Sequence, residues 1–281
     1  MKHLVACALL PHPPIMVPEV GKNDCKKVQA TIVATQQVAQ AVKDAKAQTV
    51  VLMSPHGPVF KDAIGLSVYP RLKGNFAAFG APDVVLGYET DRQLLKQILH
   101  KAERLGVNVI EITDEVAKTY RFALELDHGA MVPLYYLQQA GFRGQLVHIS
   151  VGMLPYEEMY TFGKAVQAAI GLVNKKVAVI ASGDLSHRLA PNAPAGYSPR
   201  GAEFDRLLLE KLASLDTKGV INIDKKLVAE AGECGLRPTV FLMGVMGELK
   251  VDTKVLSYEG PFGVGYGVVL CTMKKDDDSA K

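Results

Sequence analysis

Three short apolar runs, HLVACALL, TVVLM and KVAVIA, constrain this chain more than any other feature, because each ends in a loop that carries a histidine. His12 follows the first in LPHPP, His56 the second in SPHGP and His187 the third in SGDLSH. Runs of β-branched and apolar residues bounded by Gly, Pro and Ser read as central strands of a sheet covered on both faces. In open α/β sheets, ligands gather in the crevice beyond the carboxyl ends of the strands. Three imidazoles at that edge could meet in one pocket although they are far apart in sequence. Imidazole is both a common metal ligand and the usual acid–base group near neutral pH. A lone histidine after a strand is ordinarily a capping or hydrogen-bonding residue. Here, however, His12 and His56 share a proline- or glycine-flanked setting that fixes the backbone and keeps the side chain in a loop. The first reading is a metal site with a base beside it.

Strand-like and helix-like segments alternate along the chain. Strand patterns cover residues 3–10, 49–54, 63–69, 107–112, 144–151, 176–182, 253–258 and 265–273. Helical patterns cover 26–46, 90–105, 128–140, 156–173, 200–214 and 238–248. That alternation predicts an α/β fold, a three-layer αβα sandwich with a central, mostly parallel or mixed sheet. The last two strand patterns, joined by a Gly-Pro-rich turn, add an antiparallel pair. The segment GNFAAFGAPDVVLGYET fits neither a helix nor a simple strand. Its Phe76, Phe79 and Tyr88 either pack the core or wall a pocket for a planar substrate. With no repeat or linker, the expected organisation is one domain over 1–273 and a solvated, disordered tail over 274–281.

Of the 281 residues, 48% are hydrophobic and 22% charged, which suits a globular protein with ample core. No apolar stretch reaches the length of a membrane span. The N-terminal apolar run is short, is stopped by three prolines and lacks a cleavage site, so a signal peptide is not expected and the expected compartment is the cytoplasm. A net charge of +3, with its cations scattered, gives no nucleic-acid-binding stripe. Cys7, Cys25, Cys234 and Cys271 show no CxxC spacing, so a disulfide framework is not expected.

Two more segments bear on chemistry. In LELDHGAMVPLYYL, Asp127 is positioned as a helix N-cap, leaving His128 in the first turn at the positive end of the dipole. An imidazole there is disfavoured as a cation and suits a neutral hydrogen-bonding role. In AGECGLRPTVFLMG, Glu233 and Cys234 lie in a loop leading to an apolar helix, where negative charge is favoured. Glu233 reads equally as a ligand or as an ordinary capping acid. Two histidines plus one carboxylate form the facial arrangement of non-haem Fe(II) enzymes; two histidines plus a cysteine suit zinc or copper better.

The set LPHPP, SPHGP, LDHGAMVPL, SGDLSHRL and GECGLRP resembles the class III extradiol dioxygenase superfamily, the LigB type. It looks nearest to the Memo-like branch associated with AMMECR1 and radical-SAM proteins. The motifs run from Pro11 to Pro238, and each is weak alone. The resemblance implies an Fe(II) site with His12 and His56 as ligands, His187 as the base that deprotonates a catechol, and His128 lining the substrate pocket. Asp184 would orient His187. The dioxygenases carry a glutamate at the head of a late helix as third ligand, and Memo-like proteins a cysteine in CG-x-x-P; this chain has Glu233 and Cys234 side by side. The resemblance therefore implies a small aromatic diol and O₂ as substrates. Its alternative is a metal or redox protein, or a partner-binding protein, that cleaves no ring, with Zn or Cu in the pocket. Zinc-assisted hydrolysis is a third reading of the same residues. Family dioxygenases are often built from paired subunits, which implies a homo-oligomer or a small helical partner.

Overall fold

A computed structural model describes residues 3–274 of the chain. Its strands are β1 (Leu4–Leu10), β2 (Thr49–Ser54), β3 (Ile64–Ser67), β4 (Arg71–Phe76), β5 (Ala81–Glu89), β6 (Val109–Ile112), β7 (Gln145–Ser150), β8 (Val177–Ser182), β9 (Val251–Glu259) and β10 (Tyr266–Met273). Its helices are α1 (Pro18–Gly21), α2 (Gln29–Asp44), α3 (Arg92–Arg104), α4 (Asp114–Tyr120), α5 (His128–Gln139), α6 (Tyr156–Ile170), α7 (Gly201–Ala213), α8 (Thr217–Ile221), α9 (Lys225–Ala231) and α10 (Leu236–Met246).

Eight strands form one mixed sheet in the order β6-β3-β7-β2-β8-β1-β10-β9. Strand β8 runs parallel to both β1 and β2. Strand β3 is antiparallel to β7, and β10 is antiparallel to both of its neighbours, β1 and β9. Every residue of β2 and β8 is buried, which is why these runs read as continuous apolar stretches rather than alternating ones. Side chains nevertheless still part by strand periodicity. Val51, Met53, Val179 and Ala181 enter a core with Phe162 of α6 and Phe241 of α10. Val50, Leu52, Ala178 and Ile180 enter a second core with Val38 of α2 and Leu134 of α5. Two apolar faces, each roofed by helices, make the three layers.

Within the described residues the elements differ from the sequence expectation in several places, the four-residue α1 among them. Residues 71–89 form a hairpin, with Arg71 opposite Glu89, whose alternation is interrupted by Gly74 and by a turn of 3₁₀ helix at Ala77–Phe79. The helices α4, α8 and α9 have seven residues or fewer, too few for a periodic pattern to show, yet each starts at a capping side chain: Thr113, Asp216 and Asp224. The expected helix over 26–46 opens as 3₁₀ helix, and α2 begins only at Gln29. Residues 275–281 of the expected tail lie outside the described residues.

Candidate metal centre

The three histidine loops leave three adjacent strands, because β8 lies between β2 and β1. His12 comes two residues after β1, His56 two after β2 and His187 five after β8. Helix α5 brings His128 to the same edge. The ring nitrogens of His12, His56 and His128 lie within 4.8 Å of one another. His12 Nε2 is 2.9 Å from His56 Nε2, and the His56 and His128 rings stack at 4.2 Å between centroids.

The orientation of His12 can be derived from the helix beneath it. Pro133 inside α5 has no N–H, so the carbonyl of Gly129, four residues earlier, is free of its helical partner. The Ser182 hydroxyl, on the last residue of β8, donates to that carbonyl at 2.5 Å. With its proton so placed, Ser182 Oγ accepts from His12 Nδ1–H at 2.8 Å. The lone pair of neutral His12 then sits on Nε2, facing His56. Burial, and next the neighbouring His128, lower the His12 pKa to about 3, against a weaker upward pull from Asp127. His56 is also lowered to about 3, by loss of water around the ring and by its histidine neighbours, with Asp127 opposing. Neutral imidazoles whose Nε2 atoms meet, one with its lone pair fixed by a hydroxyl behind the ring, fit a divalent metal that takes the place of the proton between them.

Around this cluster the expected residues fall into two sets. Cys234 closes one side, with Sγ 3.6 Å from His12 Nε2 and 3.8 Å from His187 Nε2. It reaches there because Gly183 and Gly235 pass so closely that a Cβ on Gly183 would lie 2.4 Å from the Gly235 Cα. The amide N–H of Asp184 donates to Cys234 Sγ at 3.3 Å. Burial, followed by the carboxylates of Asp184 and Glu233, holds this thiol well above its ordinary range. Glu233 points elsewhere, accepting the Leu236 N–H at 2.5 Å at the head of α10. Burial pushes its carboxyl up to about 7, with the Leu236 N–H and Arg237 opposing. Asp184 contacts His12 rather than His187: its Oδ1 accepts the His12 backbone N–H at 2.9 Å, and its Oδ2 lies 3.8 Å from His12 Nε2. Burial also raises the Asp184 pKa, to about 6. His187 and His128 both sit below the ordinary imidazole range, burial leading and carboxylates opposing.

Sequence reasoning missed Ser54, Ser182 and His148. A glycine four residues before a helical proline, as in GAMVP, was the available signal for a carbonyl seeking an outside donor. Of the three aromatics, Phe76 and Tyr88 are core, while Phe79 stays 39% exposed with its ring 5.5 Å from His128.

A doubly covered mixed sheet with histidines gathered beyond three adjacent parallel strands is a setting that can hold a metal ion. Residues 6–269 match the family described as the catalytic LigB subunit of aromatic ring-opening dioxygenase, and the chain belongs to that family, a family of oxidoreductases. It is similar to protein CA_C1420 of Clostridium acetobutylicum, 39% identical over 271 residues, which cover 96% of this chain and 58% of that protein. The chain thus spans little more than half of that relative. It is 27% identical over 274 residues to a 3,4-dihydroxyphenylacetate 2,3-dioxygenase of Escherichia coli, covering 92% of this chain and 95% of that enzyme. An uncharacterized Escherichia coli K12 protein of known crystal structure, JW3007, shares the fold at a TM-score of 0.62 and 13% identity, over 95% of this chain and 99% of that one. Among the described residues no helix is long and apolar enough to cross a membrane.

Proposed function

We propose that this protein is an extradiol-type dioxygenase that opens a catechol-like ring, with a divalent metal, Fe(II) by preference, held by His12 and His56. The observation that carries this reading is the meeting of the His12 and His56 Nε2 atoms at 2.9 Å, with the His12 lone pair fixed by Ser182. A metal bound there supplies a Lewis-acidic centre with open positions for a diol and dioxygen. His187 accepts a proton from a diol hydroxyl: it is neutral near pH 7, and its Nε2 faces the same thiol that borders His12. The His128 and Phe79 rings, 5.5 Å apart, give a planar ring an aromatic wall. The third donor in this reading is a carboxylate. Glu233 serves only by releasing the Leu236 N–H, whereas Asp184 already stands 3.8 Å from His12 Nε2.

The second reading, a Memo-like metal or redox protein without ring cleavage, is favoured by Cys234 Sγ at 3.6 Å from His12 Nε2, a soft donor suited to Zn or Cu. Loading the protein anaerobically with Fe(II), then adding oxygen with 3,4-dihydroxyphenylacetate and simpler catechols, separates the two. Oxygen uptake matched by loss of the catechol supports the dioxygenase; a fully loaded protein inert to every catechol sinks it.

A further inference from the structure

A second group of polar side chains lies buried beneath the histidine cluster and takes no part in the chemistry above. Asp127 is its centre. Asp127 Oδ1 accepts the Ala130 N–H at 3.2 Å, capping α5, and also accepts the Ser54 hydroxyl. Ser54 Oγ in turn receives the backbone N–H of His56 at 3.3 Å. On the far side Asp127 Oδ2 lies 3.3 Å from Nε2 of His148, a residue only 3% exposed on β7, whose Nδ1 shares a 3.0 Å hydrogen bond with Ser67 Oγ. One carboxylate thus ties together the end of β2, the head of α5 and the centre of β7. The space is tight: a Cβ on Gly129 would stand 2.4 Å from Ser54 Oγ, 2.9 Å from Asp127 Oδ1 and 3.3 Å from the His56 ring.

We propose that Asp127, braced by His148, is a positioning residue that holds His56 and His128 in their stacked arrangement and so sets the site's affinity for metal. The proposal rests on the reading that His12 and His56 hold that metal. The loop with His56 and the helix with His128 come from separate parts of the chain. Apart from ring stacking, the contact that joins them is Ser54–Asp127–Ala130. Partners behind a ligand commonly change metal affinity about 10–100-fold when removed. Asparagine can replace this aspartate without a broken bond. Its Oδ1 still accepts from Ser54 and Ala130, and its Nδ2 donates to His148 Nε2 once the His148 proton moves to Nδ1, where Ser67 Oγ accepts it. Alanine can do none of this.

The test measures Zn(II) binding by calorimetry, and the proximity of the His56 and His128 ring protons by NMR in the metal-free protein. Asp127→Ala should weaken Zn(II) about 10–100-fold and lose the ring–ring signal, while Asp127→Asn keeps the signal and binds within about threefold of wild type. Wild-type behaviour of Asp127→Ala, or equal damage in both variants, overturns the proposal. Should Asp127→Ala not fold, Ser54→Ala decides: a several-fold loss of affinity with a weakened ring signal supports the tie, and no change refutes it. His12→Ala is the control for the metal reading. If it too binds Zn(II) as wild type does, that reading has failed, and the metal-free ring signal alone judges Asp127.

Discussion

Two buried aspartates at opposite ends of one strand do similar local work and reach different ends. Asp91 accepts the hydroxyl of Thr49, the first residue of β2, at 2.6 Å and caps α3 through Leu94 N–H at 3.1 Å. Asp127 meets the hydroxyl of Ser54, the last residue of β2, and caps α5. The difference lies in the cation. Asp91 receives Lys175 Nζ at 2.9 Å; these bonds and that charge outweigh burial and keep its pKa below the ordinary range. Asp127 has histidines in place of a lysine, with His148 Nε2 at 3.3 Å and His56 next in influence. Burial raises the Asp127 pKa, but the nearby His148 ring, then the Ser54 hydroxyl, reverse this and hold it well below the ordinary range. The lysine ammonium, ion-paired with Asp91, makes the amino end of the sheet a fixed clamp. The carboxyl end is built of groups that can exchange protons and donate lone pairs, which is where α/β sheets carry their chemistry.

The sharpest way to break that contrast is a pair of substitutions, one at each end. His187→Ala should keep bound metal and the fold while lowering turnover of any true substrate about 10²–10⁴-fold, the span of a lost general base. Asp91→Ala should do the opposite. It strands Lys175 against a buried site and uncaps α3, costing about 3–5 kcal/mol of stability in urea unfolding, with metal stoichiometry of the folded fraction unchanged. Metal lost from His187→Ala would make that histidine a ligand, and metal lost from Asp91→Ala would erase the division between the ends.

The division was partly legible in the sequence. The α/β alternation and the three histidine loops could be read directly, because buried parallel strands are long apolar runs and prolines mark the loops that follow them. What could not be read was the strand order. That β8 falls between β1 and β2 is a long-range fact, and it alone turns three scattered histidine motifs into one edge. The aspartate at 127 was readable as a cap, but its ties to Ser54 and His148 cross about 70 and 20 residues of chain and leave no local pattern. Asp184 shows the same limit from the other side: spacing suggested His187 as its partner, and its hydrogen bond comes from the His12 amide, while Glu233, readable as ligand or as cap, stands at the cap.

A third buried carboxylate sharpens the comparison, since it has no cation paired with it among the described residues. Asp205 on α7 is fully buried, accepting the Ser186 N–H at 2.7 Å and the Tyr258 hydroxyl at 2.8 Å. Burial pushes its pKa up to about 6, with those two hydrogen bonds opposing. A folded pKa above the unfolded one means the fold favours the protonated form. Its contribution is therefore fully present below about pH 4 and is lost as pH rises through about 6. The buried neutral histidines slope the other way over the same range, so only a difference isolates Asp205. Asparagine keeps an acceptor for Ser186 N–H and has no charge to bury. Relative to wild type, Asp205→Asn should gain stability between about pH 4 and 6, by about 2–3 kcal/mol at one pKa unit per 1.36 kcal/mol. Parallel stability curves for the two proteins would show that the Asp205 carboxyl is not raised by the fold.

The smallest expected effects lie at the two neighbours on the α10 loop, and they decide which of them belongs to the reactive end. Cys234 Sγ faces His12 and His187, while Glu233 faces the Leu236 amide. Cys234→Ser keeps a polar atom of smaller reach and weaker affinity for a soft metal, so Zn(II) binding should fall about tenfold, equivalent to about 1.4 kcal/mol. Glu233→Gln retains an oxygen for the Leu236 N–H and should leave binding unchanged. Glu233→Ala should cost about 1 kcal/mol of stability, the ordinary worth of a helix cap, and again spare the metal. The reverse order, with Fe(II) lost from Glu233→Ala and Cys234→Ser silent, would mean that the glutamate leaves its cap to complete a facial triad when metal is bound. Glu233 would then join the site, and the carboxylate dioxygenase would gain over its thiolate rival. Anaerobic metal titration of the three variants, read beside their unfolding curves, separates loss of a ligand from loss of a cap, because only the first changes affinity without changing stability.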